Sequence, residues 1–216
     1  MRISKLAPSQ RVAGRWLCHL EDGTILRLAE YEIAAFGLYS GLELTEERLE
    51  ELNRGARAAA VREKALDLLS ARPMSRRELV DKLTAKPRNK EKEPLADRET
   101  AERAADRLEE LGYLDDRAYA HTVAEHYAAK GCGPSRIREE LYRRGVPRDF
   151  WEEAMEDLAA PDDAIDAFLQ KKLRSADLTD PKTYKRAADA LARRGFRWED
   201  IKDGLRRYGG AMEEEY

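Results

Sequence analysis

Cysteine, histidine and long apolar runs are what this sequence has least of. Cys18 and Cys132 are its only cysteines, and His19, His121 and His126 its only histidines. Neither cysteine has a CxxC partner, so no disulfide framework can be read, and a reducing cytoplasmic compartment is the expectation. His121 and His126 sit five apart in His-Thr-Val-Ala-Glu-His. On a helix that spacing is about 140° out of phase, whereas a metal pair needs three or four residues. They read as solvated or partly packed side chains, and no metal is expected. No apolar stretch approaches the ~20 residues of a membrane span. Residues 1–14 lack the apolar core of a secretory signal. Nucleotide and acyl-transfer motifs are missing too: there is no GxxxxGK[ST], no GxGxxG and no GxSxG. Pairs such as Glu139-Glu140 and Glu152-Glu153 fall at helix-surface spacing, which a salt-laced helix explains without catalysis. The reading is therefore a non-enzyme without a cofactor. An excess of positive charge is also absent. The 40 Lys and Arg against 43 Asp and Glu leave −3, which excludes a protein that coats DNA by bulk charge.

What the chain does have is helical periodicity. Hydrophobic residues make up 42% of it and are spread along its length, enough to separate it from a disordered chain despite 38% charge. Near the N-terminus, Trp16, Cys18 and Leu20 alternate. Asp22-Gly23 follows, then the β-prone run Thr24–Leu28, a pattern that predicts a small hairpin. Two short helices are expected near 29–36 and 45–53, punctuated by Gly37 and Gly41. From Ala56 onward apolar stripes recur at the helical period. Examples are Val61/Ala65/Leu68/Leu69, Ala101/Ala104/Ala105/Leu108/Leu111 and Ile165/Phe168/Leu169/Leu173, then Tyr184/Ala187/Ala188/Leu191 and Trp198/Ile201/Leu205/Tyr208. Ser75-Arg76-Arg77-Glu78 is a capping box, Gly112, Gly145 and Gly195 stand at helix C′ positions, and Pro134 and Pro181 suit first turns.

An internal repeat emerges from these marks. Arg143-Arg144-Gly145-Val146 and Arg193-Arg194-Gly195-Phe196 each close a second helix and precede a third. The fold class expected is all-α, with three tandem three-helix repeats forming an elongated curved molecule and a small N-terminal β-hairpin. The divisions read as 1–55 for the hairpin and short helices, 56–115 for repeat 1, 116–160 for repeat 2, 161–210 for repeat 3, and 211–216 for an acidic, frayed tail. Repeat 1 carries an inserted loop at 85–96, rich in Lys, Glu and Pro, which reads as mobile and solvated.

Charge is segregated along the sequence. Arg117, Lys130, Arg136, Arg138, Arg143, Arg144 and Arg148 stand against only Glu125, Glu139 and Glu140 over residues 117–148. Residues 149–163 then hold seven acidic side chains and no basic one. Arg136 and Arg143 are seven apart and share a face of the helix from Pro134, whereas Ile137 and Leu141 point elsewhere and pack inward. Such a face suits a phosphate backbone or an acidic protein groove; an ordinary solvated arginine helix explains it as well.

Asp115-Asp116-Arg117-Ala118-Tyr119-Ala120, then Gly131-Cys132-Gly133-Pro134-Ser135-Arg136-Ile137-Arg138-Glu139-Glu140-Leu141 and Arg144-Gly145-Val146, together resemble the RecX family of bacterial regulators of the RecA recombinase. Residues 65–79 and 108–116 extend the likeness, which covers roughly 10–208. The loop at 85–96 replaces a short Gly-containing turn usual in the family. The resemblance implies a monomer that binds the groove of the RecA–DNA filament, meeting nucleic acid mainly as part of it. The outcome would be restrained recombinase, ATPase and coprotease activities in recombination, DNA repair and the SOS response. The filament-binding candidates are Arg117, Tyr119, Lys130, Arg136, Arg138, Arg143 and Arg144, with Arg193 and Arg194 added by repeat equivalence. Reversing Arg136, Arg143 and Arg144 is expected to spare the fold. Two other readings stay open: a sequence-specific helix-turn-helix DNA-binding protein, with its turn at 141–147, and a helical adaptor without nucleic acid. Against the first, the helix after that turn presents Asp149, Glu152, Glu153 and Glu156, which phosphates would repel.

Overall fold

The Asp-Gly turn forms as the alternation predicts. In the computed structural model, which describes residues 1–87, 93–156, 158–173, 178 and 180–214 (side chains through 209), β2 (Arg15–Leu20) and β3 (Ile25–Ala29) pair antiparallel. Gly23 takes φ +87° between them, and Asp22 accepts from the Thr24 amide and hydroxyl, each at 2.9 Å. A third strand, β1 (Ile3–Pro8), adds to β2 and gives the order β1-β2-β3, so the expected hairpin is a three-stranded sheet. A register shift between Ile3 and Lys5 explains why alternation did not reveal β1. The bulge turns Ile3 and Leu6, three apart, toward one core, and a period-two scan misses that spacing.

Helix α1 (Glu30–Phe36) follows β3 directly, and the Glu32 carboxylate accepts from the Ala29 amide at 2.7 Å. The short helix expected near 45–53 and the stripe Val61/Ala65/Leu68/Leu69 lie on one helix, α2 (Glu46–Ala71), so the expected division at 55/56 falls inside it. Gly55 does not break the helix. A Cβ there would lie 2.9 Å from the buried Glu32 carboxylate, so the glycine makes room for a neighbour rather than ending the helix.

The remaining elements are all helical: α3 (Arg76–Leu83), α4 (Arg98–Glu110), α5 (Asp116–Ala129), α6 (Pro134–Arg143), a 3-10 turn at Arg148–Phe150 leading into α7 (Trp151–Glu156), then α8 (Pro161–Leu173), α9 (Pro181–Arg193) and α10 (Trp198–Glu214). Asp97, Asp115 and Asp180 cap α4, α5 and α9. Residues 88–92 of the inserted loop lie outside the described residues; after them Ala96 is buried and Asp97 begins α4. The backbone of α10 continues through Glu214, into the segment expected to fray, and Glu215 and Tyr216 lie outside the described residues.

Two compact units share the chain: Met1–Pro73 with Leu79–Leu114, and Met74–Glu78 with everything from Asp115 onward. In the first, the sheet buries Cys18, Leu20, Leu26 and Leu28 with Ile3, Leu38, Leu44 and Leu52. The second holds two apolar clusters. One gathers Tyr119, Val123, Ile137, Leu141, Val146 and Ala154 from α5 to α7, and the other Ile165, Leu169, Leu191, Phe196, Ile201 and Leu205 from α8 to α10.

In the second unit one helix end sits on another. The Gly133 amide donates to Arg194 O at 2.8 Å and the Ser135 amide to Gly195 O at 3.1 Å. Free N–H groups at the start of α6 thereby satisfy free C=O groups at the end of α9, with opposed partial charges in contact. The turn after α6 is engaged in the same way, because the Ser75 hydroxyl donates to Arg144 O. The approach leaves no room for a side chain. A Cβ on Gly133 would lie 2.5 Å from the Gly195 carbonyl, and one on Gly195 would lie 2.4 Å from the Arg136 nitrogen, at φ +88°. The Arg-Arg-Gly triplets are therefore docking turns as well as helix stops. Gly195→Ala is expected to lower unfolding stability in urea by about 2–4 kcal/mol, through overpacking and left-handed strain. Gly209→Ala, in open space on α10, should cost nothing and can gain up to about 1 kcal/mol of helix propensity.

Candidate binding face

Helix α6 carries most of the candidate arginines, and its own sequence decides where they go. Ile137 and Leu141 are buried, as their spacing predicts, and so is Glu140, 1% exposed. A carboxylate that deep needs partners, and α6 supplies them at i−4, i+3 and i+4. Arg136 Nη2 donates to Glu140 Oε1 at 3.0 Å, Arg143 Nη2 to Oε2 at 2.5 Å, and Arg144 Nε lies 4.0 Å from Oε2. Burial pushes the carboxyl toward its neutral form, but the Arg143 and Tyr127 hydrogen bonds and the positive charge around it prevail and hold its pKa below the ordinary value.

Among the binding candidates, Tyr119 is buried and Arg144 half-buried. Tyr119 belongs to the core formed by α5 to α7, and its hydroxyl accepts from Arg144 Nη1 at 2.9 Å. The same guanidinium reaches the Tyr127 hydroxyl at 3.4 Å and lies over its ring, 5.9 Å from the centroid. Arg144 is thus a strut between α5 and α6. The triple reversal of Arg136, Arg143 and Arg144 expected to spare the fold would surround Glu140 with carboxylates, so that expectation is corrected: the change removes the groups that make its burial tolerable.

Folding also undoes the charge segregation along the chain. Helix α7 brings its acidic side chains onto the arginines before it. Arg138 donates from Nε and Nη2 to the two oxygens of Glu152 at 3.1 and 3.0 Å, and Arg117 Nε to Glu153 at 2.8 Å. Each contact holds its carboxylate's pKa down. Arg136 reaches Glu139 as well, at 2.6 Å. Two side chains of the acidic run, Glu152 and Glu153, thus pair with two of the basic run, Arg138 and Arg117.

Arg194 is a second strut. Its Nη1 donates to the carbonyls of Lys130 and Gly131 at 3.2 and 3.0 Å, and its guanidinium stacks 4.7 Å from the Phe168 centroid. Lys130 and Arg193 remain exposed, and neither makes an ion pair among the described residues; the Lys130 ammonium lies 5.3 Å from the Tyr127 ring centroid. Lys182, Lys185 and Arg186, exposed on α9 with Arg193, were not among the candidates. Their helical phase was the signal that pointed to them.

Among the described residues no cluster of three His, Cys, Asp or Glu side chains could hold a metal ion, and no helix is long and apolar enough to cross a membrane. Cys18 is buried, which pushes its thiol pKa up and away from the reactive thiolate.

These features define a class: three-helix units joined end to end, with arginine-rich helices cross-braced by carboxylates. Comparison with known proteins narrows it. Sequence models of the RecX second and third three-helix domains match residues 115–155 and 161–205. The regulatory protein RecX of Pseudomonas entomophila is 34% identical over 143 residues, covering 66% of this chain and 87% of the relative. That of Clostridioides difficile is 25% identical over 204 residues, covering 93% and 92%. The chain spans only 56% of the length of the RecX proteins it matches in Lactobacillus delbrueckii. A crystal structure of a regulatory protein RecX superposes with a TM-score of 0.68 at 24% identity, covering 94% of this chain and 98% of that one. The chain belongs to the RecX family.

The Glu140 network makes a pH-dependent prediction. Glu140→Gln should cost about 2 kcal/mol, less than a fully buried pair because Arg136 and Arg143 remain partly hydrated. A lowered folded pKa means the unfolded chain binds more protons. The wild-type advantage is therefore full above the ordinary glutamate pKa and is lost as pH falls through the lowered folded value. Urea unfolding of both proteins between pH 3 and 8 should show two curves that converge only at the acid end.

Proposed function

We propose that this chain binds the RecA–DNA filament as a monomer and restrains RecA's recombinase, ATPase and coprotease activities in recombination, DNA repair and the SOS response. It acts by occupying a surface, with no catalysis of its own, in the cytoplasm. Membership of the RecX family carries this reading, through the 34% identity that covers 87% of the Pseudomonas entomophila relative. The build of the second unit supports it. Stacked helical repeats offer long surfaces rather than pockets, and their ends must be closed. On this reading residues 56–115, 116–160 and 161–210 are successive repeats. The N-terminal N–H groups of α9, which would meet a fourth repeat, are satisfied instead by Asp180, through Lys182 N and Thr183 N.

The helix-turn-helix alternative fares worse. Glu152 and Glu153 of α7 are engaged with Arg138 and Arg117, and they are acceptors where adenine and guanine edges need donors or paired amides. The filament contacts are drawn from the candidates that folding leaves available, Lys130 and Arg193, rather than from Tyr119, Arg144 or Arg194.

Titrating the protein into a RecA strand-exchange and ATPase assay tests the function. The expected result is a dose-dependent fall in both, with binding to the assembled filament far tighter than to bare DNA at physiological salt, since linked contacts on one body raise each other's effective concentration. Unchanged exchange and hydrolysis at saturating protein would contradict it.

A further inference from the structure

The charge census of the second unit separates two helices that look alike in sequence. Each of α6 and α9 ends in Arg-Arg-Gly and carries four or more basic side chains. On α6 the arginines are spoken for: Arg136, Arg138 and Arg143 hold Glu139, Glu140 and Glu152, and Arg144 is a strut. On α9, Lys182, Lys185, Arg186 and Arg193 are exposed and make no ion pair among the described residues. At 100° per residue these four fall within about 100° of arc, opposite the buried Ala187, Ala188 and Leu191. They extend over about 16 Å along the axis. The one carboxylate among them is Asp189, and Asp180 at the cap feels Arg186. Lys130 lies beyond the C-terminal end, its carbonyl bonded to Arg194.

We infer that the solvent face of α9 is a nucleic-acid phosphate-contact surface, read through Lys182, Lys185, Arg186 and Arg193. The inference rests on the filament reading and says which helix meets the nucleic acid in it. Pairing decides between α6 and α9. A guanidinium already bidentate to a carboxylate must break that contact before it meets a phosphate, whereas an unpaired cation releases only its own water. Composition decides between nucleic acid and an acidic protein partner. A protein interface centres on buried aromatic or apolar anchors with charges at its rim. The outward face of α9 has no large apolar side chain; its cations gather at Lys182, Lys185 and Arg186 and return at Arg193, with Asp189 between, a spread along the axis that suits a row of phosphates. Negative net charge on the chain as a whole keeps this contact short-ranged.

The test is fluorescence anisotropy with labelled single-stranded and duplex oligonucleotides from 50 to 300 mM salt. It compares the wild type with a Lys185→Gln/Arg186→Gln/Arg193→Gln variant and with Arg117→Gln, a paired control. Recombinase inhibition is assayed in parallel. Because the three changed side chains make no hydrogen bond or ion pair among the described residues, the variant should melt within about 2 °C of wild type. The expected result is binding weakened about tenfold or more, with the slope of log K against log salt on duplex reduced by about 2–3, while Arg117→Gln leaves the slope unchanged. Slope and affinity unchanged in the triple variant would overturn the inference. So would intact oligonucleotide binding with lost affinity for DNA-free recombinase, which would make the face a protein contact. Lost oligonucleotide binding with full inhibition of the recombinase would uphold the phosphate face and refute its part in the filament reading.

Discussion

A single buried carboxylate organises the second unit. Glu140 is placed under α6 by the same 3.6-residue period that buries Ile137 and Leu141, and hydrogen bonds from Arg143 and Tyr127, with the charge of Arg143 and Arg136, favour its ionised form there. Those arginines are thereby committed to a carboxylate while still touching water. Arg144, turned inward, ties α6 to α5 through the two tyrosine hydroxyls. Glu152 and Glu153 draw Arg138 and Arg117 toward α7. What looks like a basic patch on paper is a brace.

The second constraint is the meeting of helix ends. Backbone amides at the start of α6 bond to carbonyls at the end of α9, and the glycines on either side permit the approach. A chain that repeats this joint can lengthen without changing its chemistry, provided that each new helix start finds an Arg-Arg-Gly turn or a cap of its own. Asp180 is such a cap. Stacking and closure therefore follow from how a few backbone groups are satisfied, and the side chains facing water are left free to specify partners.

Most of the fold was legible because it is local. Helical stripes, the Ser75 start, the glycine stops and the Asp22-Gly23 turn all announce themselves within a few residues. Strand β1 was not legible, since a bulge removes its alternation, and the continuity of α2 was not legible either, since no apolar stripe joins the short helix near 45–53 to the one from Val61; Gly55 between them clears Glu32. The face was less legible than the fold. Charge spacing within a helix is visible in sequence, but whether an arginine is spent on a carboxylate from another helix is a tertiary fact. Arg138 and Glu152, fourteen residues apart, illustrate it. Repeat equivalence holds for position and not for partners: Arg144 and Arg194 occupy matching positions, yet one donates to tyrosine hydroxyls and the other to backbone carbonyls.

The central claim is that folding consumes the cations of α6 and leaves those of α9 for the nucleic acid. Amide chemical shifts of the isotope-labelled protein, followed during titration with a short oligonucleotide at low salt, test it without altering a residue. The account predicts shifts concentrated over residues 182–193 and at Lys130, with residues 136–144 nearly silent. Shifts concentrated on α6, with α9 unmoved, would contradict it.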